Sequence, residues 1–400
     1  MKTFYKIFAF TVLALEYYLP LSGLAANPTY NVKSFGAKSD GNSDSSNSFL
    51  QAWDVACAST APATVYVPRG RYFLRGINFS GKSCKNHAIN IRIDGTLLAP
   101  ANYNVVGKLG TWLRFDGVTG VSISGGTLDG KGNALWACKN LGRTCPNGAT
   151  SLAFYNSKDI VINGLISMNS QMFHIVIYGS QNAKLANVKI LAPRSSPNTD
   201  GIHVEHSSGV TITNAHIGTG DDCISIGPGT SNLWIEKIAC GPGHGVSIGS
   251  LGWTQNEAGV KNVTVKAVTF TGTTNGLRIK TWARPSNGFV KDIVYQHVTM
   301  ANVENPIIID QNYCPNHQNC PNEASGVQVH GVHYEDIHGT SATQVAVKFD
   351  CSKAKPCSGI MMEEVNLSYD NKQRAASTAS ASCANAGGTS AGVVKPTSCF

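Results

Sequence analysis

The chain has 400 residues, 42% of them apolar, with twelve cysteines and a formal net charge of +8. That length can bury a large core and allows two or three domains. The positive balance suits a polyanionic partner, but no basic run, zinc-ligand spacing or recognition-helix pattern points to nucleic acid.

Met1 to about Ala26 carries Lys2 and Lys6, an apolar run from Ile7 to Leu15, and small residues at Gly23, Ala25 and Ala26. This is the arrangement of a secretory signal peptide. Its uncharged run is well short of the roughly 20 residues a spanning helix needs, and no other stretch comes closer, so no membrane association is expected of the mature chain. Secretion accounts for the cysteines as disulfides and makes an acidic extracellular polysaccharide the better polyanion. Cys138 and Cys145, Cys314 and Cys320, Cys351 and Cys357, and Cys383 and Cys399 are close pairs, while Cys223 and Cys240 lie 17 residues apart, about one coil of a stacked fold. No Cys-x-x-Cys or His-x-x-x-His pair suggests a metal. Asn78, Asn262 and Asn366 open N-glycosylation acceptor triplets.

After an extended start at Asn31 to Ala37 and a turn at Asp40 to Asp44, Phe49, Trp53 and Ala56 fall on one helical face, with Ser45 or Ser46 available as cap. A short helix there would cover the open end of a stack. Val65 to Pro68 and Arg71 to Leu74 read as the first strands. Then a long repeat begins, with apolar or small residues at positions a, a+2, a+5 and often a+7. Its best copies start at Val210, Leu233, Val263, Ile293, Val327 and Ile360, with weaker ones at Val121, Ile160 and Ala183. From Ile160 onward the starts are 23 to 34 residues apart. Short strands, Gly and Asn at the corners and no sustained helical period predict an all-β, single-domain right-handed parallel β-helix over residues 27–400. Lys131 to Thr150 and Cys314 to Ser325 break the repeat and are expected as loops at the rim of a cleft.

Polar groups recur in step with this repeat. Asp200, Asp222 and His244 each precede an apolar-x-apolar pair by two residues, and they are 22 residues apart. Equal phase in stacked units means equal position on the surface, so they should line one face. Asp221 joins the carboxylates. Successive strands lie about 4.8 Å apart, so three carboxylates fall within a small volume. Their repulsion would keep one protonated while another stays ionised, the pairing needed to hydrolyse a glycosidic bond. His244, between Gly243 and Gly245, can share a proton with a neighbouring carboxyl. Arg278 and Lys280, on the outward alternates of the next strand, offer a fork and a point charge suited to a carboxylate-bearing sugar, or else a solvated salt bridge to the same aspartates. Trp282, Tyr313 and His203 are further candidates for sugar contact.

Asn198-Thr199-Asp200, Gly220-Asp221-Asp222-Cys223, Gly243-His244-Gly245 and Arg278-Ile279-Lys280 together resemble the four signature motifs of the polygalacturonases, the family 28 glycoside hydrolases. The wording around them is closest to plant exopolygalacturonases of pollen, and the similarity covers nearly the whole mature chain. The resemblance implies a parallel β-helix, no cofactor, and hydrolysis of α-1,4-galacturonosyl linkages of pectin with inversion, in a protein secreted to the cell wall. It implies Asp221 as general acid, Asp200 and Asp222 as the pair activating water, and His244 as the catalytic histidine. It also implies Asn198, Arg278, Lys280 and Tyr313 as substrate-binding groups. An endo-acting enzyme, a calcium-dependent pectate lyase and a wall-binding β-helix without catalysis are the alternatives; a monomer is expected.

Overall fold

The computed structural model describes residues 27–315, 318–370 and 378–400. The segment read from the sequence as a signal peptide, residues 1–26, lies outside the described residues. All strand pairings are parallel, and each strand hydrogen-bonds to its equivalent in the next coil. Among the described residues the strands fall into a sheet of eleven and a more extensive one of seventeen, which together wind a right-handed parallel β-helix.

Stacked side chains fill the interior. One column runs Ile175, Ile202, Ile224, Val246, Leu277, Ile307 and Val347 in strict register. A second, two residues on, runs Ile177, Val204, Ile226, Ile248, Ile279, Ile309 and Phe349. All are buried. Each contributes about 1.5–3 kcal/mol of transfer free energy, and the period of two sends the intervening side chains out of the coil. Near the N-terminal end the column becomes aromatic, with Phe79, Phe115 and Phe154 stacked 4.6 Å apart.

At the corners the chain must turn with left-handed backbone, which asparagine tolerates better than most residues. Among the described residues, eleven of the twenty non-glycine residues with positive φ are asparagines. Their amides bond coil to coil, as where Asn187 donates to Asn163 Oδ1 at 2.7 Å.

The capping helix spans Ser46–Ala58. Trp53 packs against Phe79 and Phe115 and donates its indole N–H to Ser80 O at 3.2 Å, so the helix covers the first coil. Ser45 takes the N-cap position, but its side chain makes no capping bond. Asp44 Oδ1 instead accepts from Ser46 N at 3.0 Å and from Ser46 Oγ at 2.6 Å, since a carboxylate is the stronger acceptor at the positive end of a helix.

Two further expectations are corrected, and one is extended. The repeat copy assigned to Val327 is displaced: Ile293, Tyr295 and Val298 pair with Val332, Tyr334 and Ile337. Gly339 takes the slot opposite Met300, so the true copy lacked its last apolar residue, and Val329 extends the strand by pairing with Val290. The insert at Lys131 to Thr150 is not all loop, because Asn133–Asn140 is a helix with Leu135 and Trp136 buried. The five spaced cysteine pairs are bridged as expected, and a sixth bridge, Cys57–Cys84, ties the capping helix to the start of the solenoid.

Candidate active site

The site lies on the outer face of the eleven-stranded sheet, around the strands Ile202–Glu205, Ile224–Ile226, Val246–Leu251 and Asn275–Trp282. Asp200, Asp222 and His244 each stand two residues before the stacked Ile202, Ile224 and Val246. The structure therefore brings them together, with Asp221, at neighbouring corners. Close backbone approach makes this possible. A Cβ on Gly220 would fall 2.0 Å from Ser196 O, and one on Gly245, whose φ is +88°, would fall 2.2 Å from Asn275 O.

Asp222 is 1% exposed at its side chain and fully bonded. Arg278 Nη2 donates to Oδ1 at 2.7 Å, Ser247 Oγ to the same oxygen at 2.8 Å, and Lys280 Nζ to Oδ2 at 2.9 Å. Arg278 Nε also donates to Ser247 Oγ at 2.8 Å. Burial pushes this carboxyl up, but Lys280 and Arg278 with the hydrogen bonds outweigh it and hold it down to about 2. Asp200 is the opposite case. Burial, then Asp221 and Asp222, raise its carboxyl well above the usual range, so a proton is retained there as the third negative charge is refused.

Asp221 is the more open aspartate. Its Oδ1 accepts from Asp222 N at 2.8 Å and lies 3.2 Å from His244 Nδ1, while its carbonyl accepts from His244 N at 2.8 Å. Backbone and ring thus fix histidine and carboxylate relative to each other.

Arg278 and Lys280 do point out of the coil, but the salt bridge they make is buried, not solvated. Their side chains are 12% and 9% exposed. Their strand is paired on both sides, and aromatic rings pack beside the lysine: Lys280 Nζ lies 5.3 Å from the Tyr313 ring centroid, and Tyr313 packs edge-on against Trp282, which meets Trp253 in turn. Asn198 is exposed, has φ of 56°, and lines the cleft together with Asp200, Asp221, Lys280 and Tyr313. His203 also lines it, but both its ring nitrogens are engaged within the protein. No residue of the Lys131 to Thr150 insert does so.

Sequence reasoning missed Ser225, Ser247, Glu205, Trp253 and Glu257. The two serines carried a signal: His203, Ser225 and Ser247 follow Asp200, Asp222 and His244 by three residues each and pair across adjacent coils. Trp253 and Glu257 carried none, since they lie on an irregular segment where Glu257 accepts from the backbone N–H groups of Gly252 and Trp253.

Asp221, Asp222 and His244 could between them offer three metal ligands. The donor set fits a cation poorly, because both Asp222 oxygens already face fixed positive charges from Arg278 and Lys280.

The sequence profile of the glycosyl hydrolases family 28 matches residues 57–391. The chain belongs to this family. It is 60% identical to a polygalacturonase of Prunus persica over 97% of this chain and 98% of that one. It is 42% identical to an exopolygalacturonase of Platanus acerifolia over 93% and 96% of the two. Among solved structures, the endo-xylogalacturonan hydrolase of Aspergillus tubingensis has the same fold, with a TM-score of 0.75 over 92% of this chain and 100% of that one at 20% identity. A hyperthermoactive exopolygalacturonase from Thermotoga maritima superimposes with a TM-score of 0.69 at 20% identity, over 86% of this chain and 90% of that one. As a family 28 member the chain is a glycoside hydrolase.

Proposed function

We propose that this family 28 hydrolase cleaves α-1,4-galacturonosyl linkages of homogalacturonan by an inverting mechanism, acting from a chain end. The observation that carries the reading is the division of labour among three adjacent carboxyls, one clamped ionised by two cations, one kept protonated by burial, and one open to the cleft beside a histidine. Asp221 is the general acid: it faces the cleft, and His244 shares and orients its proton. Asp222 and Asp200 position and deprotonate the attacking water, Asp222 supplying the negative charge. Asn198 and Tyr313 line the path of the sugar. Lys280 and Arg278 set the field of the site, and the charge left over after they neutralise Asp222 attracts the substrate carboxylate.

The end-acting mode is supported by similarity to exopolygalacturonases. Secretion to the cell wall fits the six disulfides and the exposure of Asn78, Asn262 and Asn366 at their strands. Among the described residues no helix is long and apolar enough to cross a membrane.

The test is incubation of the secreted protein with polygalacturonate at mildly acidic pH in EDTA, with products resolved by size. Monogalacturonate released from a polymer that stays long supports the reading; an oligomer ladder replaces exo by endo action; unsaturated products, or no reaction until calcium returns, overturn it. Asp221→Asn should lower turnover by about 10²–10⁴-fold with oligogalacturonate binding retained, and substantial turnover would remove the acid role from Asp221.

A further inference from the structure

We propose that a basic groove on the outer face of the seventeen-stranded sheet, centred on Lys189, His216 and Lys237, is a second, non-catalytic binding site for an acidic polysaccharide chain. The choice of polymer rests on the reading of homogalacturonan as the substrate. No residue is common to the lining of this groove and that of the catalytic cleft, which lies on the other sheet.

The groove follows a bend in the sheet. In four successive coils the chain turns there through the left-handed Asn187, Asn214, Lys237 and Ala267. Two residues on, Lys189, His216, Ala239 and Thr269 pair in register and form an outward row. The corner row and the outward row line an open volume of about 530 Å³, against about 460 Å³ for the catalytic cleft. Lys189, His216 and Lys237 are exposed, and the small Ala239 and Ala267 leave the far part of the groove wide. Four coils about 4.8 Å apart give it a length of about 14 Å along the solenoid axis, enough for a run of sugar units.

Its charge is one-sided. Between Lys158 and Thr271 the strands of this sheet carry Lys158, Lys184, Lys189, Lys237, Lys261 and Lys266, against Asp159 and Glu236. Both carboxylates are already engaged: Asp159 accepts from Asn182 Nδ2 at 3.2 Å, and Glu236 accepts from the Trp234 indole N–H at 3.0 Å. Among the described residues, the one salt bridge these lysines make is Lys237 to Glu236, at 3.9 Å. Elsewhere on the surface Arg92, Arg114 and Lys131 each sit on a neighbouring carboxylate at 2.7–3.1 Å. Beyond Thr271 the sign reverses. The next three strands of the sheet carry Lys291 against Asp292, Glu335, Asp336, Glu363 and Glu364, so the positive field ends where the groove does.

Unmatched lysines in one groove repel each other, and a polyanion laid along it relieves that repulsion. Homogalacturonan has the matching form: an extended chain with a carboxylate on each unit, and hydroxyls for the amides of Asn187 and Asn214 and the hydroxyl of Thr269. Held there, one segment of polymer keeps the protein among its neighbours while the cleft works on another, which raises the effective concentration of cleavable ends.

The test is the triple variant Lys189→Gln, Lys237→Asn, Lys266→Gln in the full secreted protein, with asparagine chosen for the left-handed corner. A control triple, Lys33→Gln, Lys38→Gln, Lys82→Gln, removes the same charge from exposed lysines near the capping end. Binding to immobilised polygalacturonate is read first, in an Asp221→Asn background so that the polymer is not consumed. The groove triple should bind about tenfold more weakly and with a shallower salt dependence, because fewer counter-ions are released, while the control triple stays near the parent. Full methyl esterification of the polymer, which removes its carboxylates, should abolish the difference. Unchanged binding by the groove triple, an equal loss in the control, or a difference that survives esterification overturns the proposal. In the active protein the groove triple should raise KM for polygalacturonate with kcat held, and leave kcat/KM for trigalacturonate within about twofold of the parent. An equal loss on trigalacturonate assigns these lysines to the cleft or the fold and overturns the groove. The binding readout needs no turnover, so a protein that binds as expected yet does not hydrolyse polygalacturonate sinks the proposed activity and leaves the groove standing.

Discussion

Replacing Lys280 by methionine keeps the aliphatic stem and removes one of the two cations on Asp222. In the folded protein that carboxyl is held at about 2 against 3.8 for a free side chain, burial raising it and Lys280 and Arg278 more than compensating. At about 1.4 kcal/mol per unit the depression contributes roughly 2 kcal/mol to stability at neutral pH, a net figure after the burial penalty that the two cations offset. Leaving a buried charge without a partner costs about 3–5 kcal/mol; with Arg278 and Ser247 still bonded to Asp222, Lys280→Met should cost about 2–3 kcal/mol near pH 5. The sign of the pH dependence is fixed. A depressed carboxyl stabilises fully above 3.8 and loses that contribution as pH falls through about 2, so the gap between variant and parent must narrow toward about pH 2. Guanidinium unfolding followed by tryptophan fluorescence at the two pH values, disulfides intact, measures both gaps. An equal gap at both, or none near pH 5 with only KM raised, would refute the clamp and restore a freely solvated lysine whose role is substrate binding.

Two other outcomes follow from the same geometry. Asp200→Asn should raise the unfolding midpoint at neutral pH while abolishing turnover. The Asp200 carboxyl is raised by burial and by Asp221 and Asp222, so stability is complete below 3.8 and falls as the group is forced to ionise, and the advantage of the variant should vanish in acid; equal midpoints at neutral pH would show that ionised Asp200 is not strained. Replacing Cys223 and Cys240 together by serine opens a 17-residue loop and should cost about 3 kcal/mol. Because Cys223 follows Asp222 directly, activity should fall even well below the unfolding midpoint, and full activity there would show that the bridge does not position the carboxylate.

The sequence by itself determined the solenoid and the place of its site. Spacing along the chain is the information a stacked fold uses. A 22-residue step puts Asp200, Asp222 and His244 in register, apolar alternation tells inside from outside at Ile202, Ile224 and Val246, and short cysteine separations leave few partners for Cys138 or Cys351. What spacing lacks is the lateral dimension. Whether Lys280 meets solvent or Asp222, which carboxyl keeps the proton, and that His203 is held by Ser225 and Glu205 depend on side-chain directions across neighbouring coils and on the aromatic cover over them. The repeat frame slipped at Val327, where Gly339 leaves the pattern without an apolar mark, and Cys57–Cys84 escaped notice because it joins a helix to a loop across 27 residues. Register is a property of the chain, but burial and ionisation are properties of the packed surface, and those only the tertiary structure decided.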